Sequence, residues 1–507
     1  MNITLDGTSL TLEEVYDVAF NRAQASLDPA ARARMETSRA VIERLVVSNK
    51  TAYGVNTGFG HLAEVRISAD QIRQLQINLI RSHACGVGAP LSAAETRAVI
   101  LLRANALAKG LSGVRPVVVD TLCALLNYGV HPVIPSQGSV GASGDLAPLA
   151  HLAQVLVGEG TASFPVGRDE RATLPGAEAL KRAGIAPLQL EAKEGLSLLN
   201  GTQGMLALLA LALREAEILV DTADVAAALS LDALRGSPAA FDERIAQARA
   251  YAGHATSARN LTRLNRGSQI RESHRAADRD PRVQDAYSLR CAPQVHGAVR
   301  DAITQGRATA AVELNSATDN PLVLGEEVVS GGNFHGQPLA MAADQLAIAL
   351  ATLGGISERR TEHMTNPNTS LLPAFLTTEP GLNSGFMLAQ VTAAALAAEN
   401  KALATPHSVD SIPTSGDQED YVSMGMGAAR RLRPMLENLR AILAIELLAA
   451  CQGIDLLAPL HTGGLAQQAH QRVRKVSAHL DADRSLAPDV AAISALIISA
   501  AFQELLR

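Results

Sequence analysis

Apolar residues recur at helical spacing along most of the chain. In SLDPAARARMETSRAVIERLVVSN, Met35, Val41, Ile42, Leu45 and Val46 fall on one face, Asp28 stands where a helix is capped and Pro29 at its first position. The pattern predicts a helix ending at Asn49. TAYGVNTGFGH follows, a loop rich enough in glycine to bring backbone close to another group. A second helix is predicted from Ala69 to about Ser82, leading into HACGVGAPL, and a third from Ala93 to Lys109, closed by Gly110. Helix followed by glycine loop is the recurring unit of this part of the chain.

The pattern changes at Asn200. Residues 200–234 are almost uninterrupted helix-forming sequence, and so are Val295 to Asn315, Pro338 to Ser357, Met387 to Ala404 and Ala428 to Leu457. The strongest strand candidate there is Pro321 to Val329, closed by Ser330-Gly331-Gly332, and no alternation of strand and helix suggests a doubly wound sheet. The prediction is a mainly α fold: an N-terminal helix-and-loop region, 1–199, followed by a bundle of long helices, 200–507. Two connections, Gly267 to Asp285 and Thr405 to Gly427, are too long for simple helix joints and read as lids, binding loops or disordered segments.

Composition narrows the picture. Hydrophobic residues make up 47% and aromatic residues 3%, with no tryptophan, so the core has to be built from Ala, Leu, Val and Ile in close-packed helices. The net charge of -6 leaves no basic excess for a nucleic-acid partner. The longest apolar run, Gly204 to Leu213, is about half of the roughly 18 residues at which a membrane span becomes a candidate, so no membrane is expected. The opening MNITLDGTSLTLEEV carries no basic stretch followed by an apolar core, which gives a cytoplasmic expectation. Cys85, Cys123, Cys291 and Cys451 lie far apart and form no metal-binding pattern, so no metal is expected and the four read as reduced, mostly buried thiols.

The most informative stretch is IPSQGSVGASGDLAPLAH, where Gly138, Gly141 and Gly144 punctuate a loop running into a helix near Asp145. A hydrolase elbow would need glycine where Asp145 stands. A dinucleotide loop needs another glycine spacing and a strand feeding it. A tight loop with Asp145 or Ser143 capping the helix is the plainest alternative. The tripeptide Ala142-Ser143-Gly144 permits more if a fold compresses it. The unhindered Gly144 amide nitrogen can attack the Ala142 carbonyl, loss of water closes an imidazolone, and loss of a second water from Ser143 leaves an exocyclic methylene.

With that segment the chain resembles the histidine and aromatic amino-acid ammonia-lyase family, whose members make a 4-methylidene-imidazol-5-one (MIO) prosthetic group in this way. The resemblance extends, in the family's order, to TAYGVNTGFG, RSHACGVGAPL, EGLSLLNGTQ, VQDAYSLRCAPQV, SGGNFHGQPLAMAAD and PHSVDSIPTSGDQEDYVSM. It implies a carbon–nitrogen lyase acting on an amino acid, with MIO formed from Ala142, Ser143 and Gly144 and no external cofactor. Tyr53 would be the general base for the scarcely acidic β-proton, which requires its site to stabilise a phenolate. Arg290 would hold the substrate carboxylate through two parallel contacts. Asn200, otherwise readable as a helix cap, would lie at the prosthetic group and amino acid, Tyr287 and Gln284 in the same pocket, and Phe334 at its wall.

Two positions bear on the substrate. His83 after Ser82, and Glu419, match the histidine-type members, and both can hydrogen-bond an imidazole, which implies L-histidine as substrate with urocanate and ammonia as products, the first step of histidine degradation. The alternative is a tyrosine or phenylalanine ammonia-lyase, or an aminomutase, on the same scaffold. Ala286 in place of a proline and Gly416-Asp417 before Gln418 are small departures from relatives and bear on pocket shape. The alanine- and leucine-rich helices, with the family's habit of building each site from several subunits, imply a homo-oligomer, a tetramer.

Overall fold

The computed structural model describes residues 2–48, 54–55, 57, 67–167, 170–276 and 282–507. The fold is mainly α, with long helices and a few short strand pairs. By contacts it parts into two compact units: one comprises Met1–Leu211, Arg307–Asp344 and Pro406–Arg430, the other Ala212–Gly306, Gln345–Thr405 and Arg431–Arg507. Where the sequence suggested contiguous regions 1–199 and 200–507, the contact units are discontinuous, and several of their boundaries fall inside long helices.

In the first unit, helix Pro29–Ser48 starts where the sequence indicates, because the Asp28 carboxylate accepts the amides of Ala30 and Ala31 at 2.8 and 3.0 Å. Helix Ala93–Ala108 opens on a capping box of Ser92 and Glu95 and is buried on every side from Glu95 onward. Its polar residues survive burial by meeting backbone carbonyls: Arg97 donates to Val18 and Leu126, Arg103 to Asn200, and Asn105 to Leu314. Strand Val87–Pro90 pairs antiparallel with Pro135–Gln137, setting the segment after His83 beside the start of the glycine loop. The predicted strand Pro321 to Val329 is a tight hairpin, Leu322–Leu324 with Glu327–Val329, because Gly325 turns the chain at φ +62°.

In the second unit, helix Ala252–Leu264 meets the start of helix Ala292–Leu314 at two glycines. A Cβ on Gly253 would run into the carbonyl of Gly297, so this crossing requires side-chain-free positions. Helix Leu432–Asp455 supplies a continuous buried stretch from Ile442 to Ile454. The single helix predicted over Ala428 to Leu457 is two, Gly425–Arg430 and Leu432–Asp455, and the one predicted over Pro338 to Ser357 runs to Thr365. The connection Gly267 to Asp285 contains a short helix, Gln269–Ser273, while 277–281 lie outside the described residues.

Among the described residues one helix, Gln337–Thr365, is long and apolar enough to cross a membrane, and 61% of its most apolar stretch is buried within the protein, as in a core helix. The expectation of mostly buried thiols holds for half of the cysteines. Cys123 and Cys451 are buried, which pushes their thiols up to about 12, whereas Cys85 is exposed and Cys291 half-buried.

Candidate active site

The glycine loop is held from both sides. Gly141 and Gly144 adopt φ +72°, a conformation that favours glycine, and a Cβ on either would collide, at Gly144 with the carbonyl of Gly201 and at Gly141 with the Ser423 hydroxyl. Gly144 and Gly201 pair as an isolated bridge, the Asp145 amide donates to the Gly201 carbonyl at 2.7 Å, and the Met424 amide donates to Val140 at 2.9 Å. Ala142-Ser143-Gly144 is thereby fixed between two distant segments of chain.

Asp145 stands at the N-cap of helix Leu146–Leu156, yet its side chain does not cap that helix as the plain reading of the loop expected. It turns instead to the amide of Met205 at 2.7 Å and the hydroxyl of Ser139 at 3.0 Å. Full burial, only partly offset by these donors, pushes its carboxyl up to about 6.

Ser143 donates to one oxygen of Glu419 at 3.3 Å, and the Thr414 hydroxyl holds the other at 2.7 Å. Thr414 and Glu419 also exchange backbone hydrogen bonds, so the loop predicted over Thr405 to Gly427 contains a tight turn, 414–419, that presents this carboxylate at the tripeptide, and its last residues, from Gly425, open a helix. The loop is fixed to the start of helix Gln337–Thr365 by Asp344, which accepts the Ser408 amide at 2.7 Å. Glu419 favours the charged form of His83, but burial dominates and lowers its pKa. The Nδ1 atom of His83 lies 2.8 Å from the Leu79 carbonyl, an acceptor only, so Nδ1 carries the proton and Nε2 of the neutral ring is an acceptor.

Asn200 is not a helix N-cap. It terminates helix Glu194–Leu199, with its amide nitrogen donating to the Asn320 carbonyl at 3.0 Å and its backbone carbonyl accepting from Arg103 at 2.8 Å. Its side-chain oxygen is buried and has no partner among the described residues. Phe334 is half-buried in the turn after Gly331-Gly332.

Tyr287, Arg290 and Gln284 belong to the second unit. Tyr287–Arg290 is a single helical turn in which the Arg290 guanidinium lies 4.5 Å over the Tyr287 ring. Tyr287 is 70% exposed and Gln284 is exposed, while Arg290 Nε is buried without a hydrogen-bond partner among the described residues. Tyr53 lies outside the described residues. The structure thus brings Ser143, Glu419 and His83 together in one unit and Tyr287 and Arg290 in the other.

Sequence reasoning missed four residues of this region. His151 accepts the Gly86 amide at 3.0 Å, tying the segment after His83 to the helix after the glycine loop, and burial lowers its pKa so that the ring stays an acceptor. Lys193 and Asp319 form an ion pair at 2.8 Å with both side chains buried, and Arg103 is fully buried beside them. Nothing local points to His151, whose partner Gly86 lies 65 positions away. Nor does anything local announce the other three.

A sequence model of the family described as aromatic amino acid lyase matches residues 10–475. A histidine ammonia-lyase of Koribacter versatilis is 56% identical, covering 98% of this chain and 97% of its own length. The crystal structure of histidine ammonia-lyase from Trypanosoma cruzi matches with a TM-score of 0.91 at 43% identity, over 100% of this chain and 95% of that one. The structure of tyrosine aminomutase from Streptomyces globisporus matches with a TM-score of 0.94 at 39% identity, over 100% and 98%.

Proposed function

The chain belongs to the aromatic amino acid lyase family, and we propose that it eliminates ammonia from L-histidine to give urocanate by means of an electrophile made from its own backbone. The observation that carries this reading is the placement of Glu419, anchored by Thr414, at Ser143 and within electrostatic reach of His83. The carboxylate and the unprotonated Nε2 of His83 are both acceptors, and an imidazole side chain offers one N–H donor when neutral and two when it is protonated beside Glu419. A phenyl or phenol ring cannot satisfy both, and leaving buried polar groups unpaired is the basis of strong discrimination.

The residues present fit an MIO group formed from Ala142, Ser143 and Gly144. Gly144 occupies a position where no side chain has room, which leaves its amide unhindered, and the loop is clamped on both flanks. That group supplies an electron sink that lets ammonia leave, a capacity no ordinary side chain has. The chain's own residues do the rest. Tyr53 takes the β-proton, Arg290 holds the carboxylate in a bidentate contact, and Asn200 offers its unpaired oxygen to the amino group. Tyr287 and Gln284 complete the pocket and Phe334 its wall.

The reading includes a homotetramer. Helix Met387–Leu403 is rich in alanine and leucine yet buries only Ala393 and Asn400. The exposure of Leu388, Val391 and Tyr287 suits a surface covered by further copies of the chain. A cytoplasmic location is part of the same proposal.

Incubation with L-histidine, followed by the ultraviolet absorption of urocanate, tests the reaction, and an intact mass short by two water molecules tests the prosthetic group. The likeness to a tyrosine aminomutase favours one second reading, an aromatic lyase or aminomutase. Comparing catalytic efficiencies for histidine, tyrosine and phenylalanine decides between them; a preference for an aromatic substrate overturns the assignment to histidine.

A further inference from the structure

The buried oxygen of Asn200 leads to a device that the reaction chemistry alone does not suggest. A side-chain amide can sit either way round, but here its partner is the backbone carbonyl of Asn320, which only accepts. The NH2 group therefore faces Asn320, and Oδ1 is left as a buried acceptor with nothing to accept from among the described residues. An unpaired buried acceptor is costly, which points to a donor that arrives with the ligand. The imidazolone formed from Ala142-Ser143-Gly144 has no N–H to give, whereas the ammonium group of an amino acid has three.

The Asn320 carbonyl is itself held in place. Asp319 receives the Lys193 ammonium and the Ser197 hydroxyl on one oxygen, each at 2.8 Å, and with the other takes the Asn320 amide at 2.7 Å. The Asn320 side chain accepts the Gly331 amide at 2.7 Å and the Ser330 hydroxyl at 3.2 Å, at the head of the segment that carries Phe334. On the other side of Asn200, Arg103 bridges its backbone carbonyl and the Gln203 side chain, both at 2.8 Å, and Gln203 returns to Thr318 at 2.8 Å.

We propose that Asp319-Asn320 is a positioning element that fixes the Asn200 amide with its oxygen as the acceptor for the substrate ammonium, and couples that setting to the segment of Phe334. The proposal rests on the lyase reading above. Neither Asp319 nor Asn320 touches the substrate; both act through Asn200.

The decisive variant is Asn200→Asp in the full-length protein. A protonated carboxyl reproduces the amide pattern, donating O–H to the Asn320 carbonyl and offering C=O to the substrate, whereas a carboxylate sets oxygen against oxygen. The ratio of its kcat/KM to that of the unsubstituted enzyme should rise at least about tenfold between about pH 9 and about pH 6, as the introduced carboxyl gains its proton in a buried setting. A ratio that is flat across that range overturns the proposal.

Asn320→Ala supplies a second readout. It should keep the two-water mass deficit and its cooperative unfolding while losing about ten- to a hundredfold in kcat/KM, the cost of about an ångström of misplacement. Unchanged kcat and KM in this variant also overturn the proposal. Unsubstituted enzyme without urocanate formation or without the mass deficit would overturn the lyase reading and this inference with it, and is told apart because it needs no variant.

Discussion

Each unit contains a cluster of charges taken out of water, and the two are finished differently. In the second unit, Glu446 has both oxygens occupied, by Arg360 in a two-pronged contact and by Ser230 and Ser357. Asp224 is likewise filled by His296, Asn260 and Arg300. Even the tautomer of His296 is determined: the Arg360 guanidinium only donates, so Nε2 accepts, Nδ1 carries the proton to Asp224, and burial lowers the ring's pKa. In the first unit the cluster around Lys193 and Asp319 is left open, with Asn200 Oδ1 unpaired among the described residues, and Asp145, beside the tripeptide, is held at a raised pKa. A closed network is a scaffold; an open one, built with equal care, awaits a ligand or a proton.

The contrast breaks first, and most severely, at the tripeptide. On the proposed chemistry, Ser143→Ala removes the source of the methylene without emptying any core, so activity should fall by about a thousandfold or more while the protein unfolds as before. Turnover and intact mass, measured on the same sample, check it; an active variant of full encoded mass would sink the mechanism.

The closed network should answer in the opposite currency. Glu446→Ala leaves Arg360 buried without its counter-ion and is expected to cost about 3–5 kcal/mol of stability, read from denaturant unfolding. Replacing both partners by apolar residues of similar volume should cost less than the single change, since no buried charge is stranded. Equal costs would mean that the pair is not the origin of the loss.

Asp145 gives the comparison a pH axis. Its folded pKa is raised from 3.8 to about 6, so its contribution is fully present below the unfolded value and is lost as pH rises through about 6. Relative to Asp145→Asn, the native protein should therefore lose stability on the order of 3 kcal/mol across that window. Asp455 in the second unit runs the other way: burial opposes its ionisation, but His470 and Arg474 prevail and hold it at about 2, so its contribution is lost as pH falls from 3.8 toward 2. Unfolding measured at several pH values separates the two slopes.

The smallest effect is a matter of aim. Thr414→Val frees one oxygen of Glu419, and the loss of a hydrogen bond to a charged group predicts a decrease of about tenfold in kcat/KM for histidine. The fold and the mass deficit should be untouched. A variant with unaltered efficiency would show that Glu419 is fixed by its backbone pairing alone.

The sequence was most legible where the cause of structure is local. Asp28 and Pro29 announce their helix because a cap acts within one turn, and the alanine- and leucine-rich stretches announce theirs through periodicity. Legibility failed where a partner comes from far along the chain. Asp145 looks like a cap but spends its side chain on Met205, and Asn200 looks like a cap but answers to Asn320. Lys193 and Asp319 lie 126 positions apart, so neither could be told from a solvated charge. Pro321 to Val329 reads as one strand by its pattern, and Gly325, although a local signal, is passed over in that reading as the residue that splits it into a hairpin. The motif-bearing residues were legible through family resemblance, and His83, Ser143 and Glu419 do converge, whereas the place of Tyr53 lies beyond the described residues.

Under the proposed cyclisation, the bridge between Gly144 and Gly201 makes folding a precondition of chemistry. Ala142-Ser143-Gly144 is gripped only once chain synthesised almost sixty residues later has arrived to receive the Asp145 amide, and once Ser423, later still, has closed against Gly141. A tripeptide that cyclises under that grip would leave each molecule with a lasting record of having reached its native arrangement. Chains that stall earlier would keep their two waters. During refolding of newly made protein, the mass deficit should therefore appear after the return of native structure and never before it.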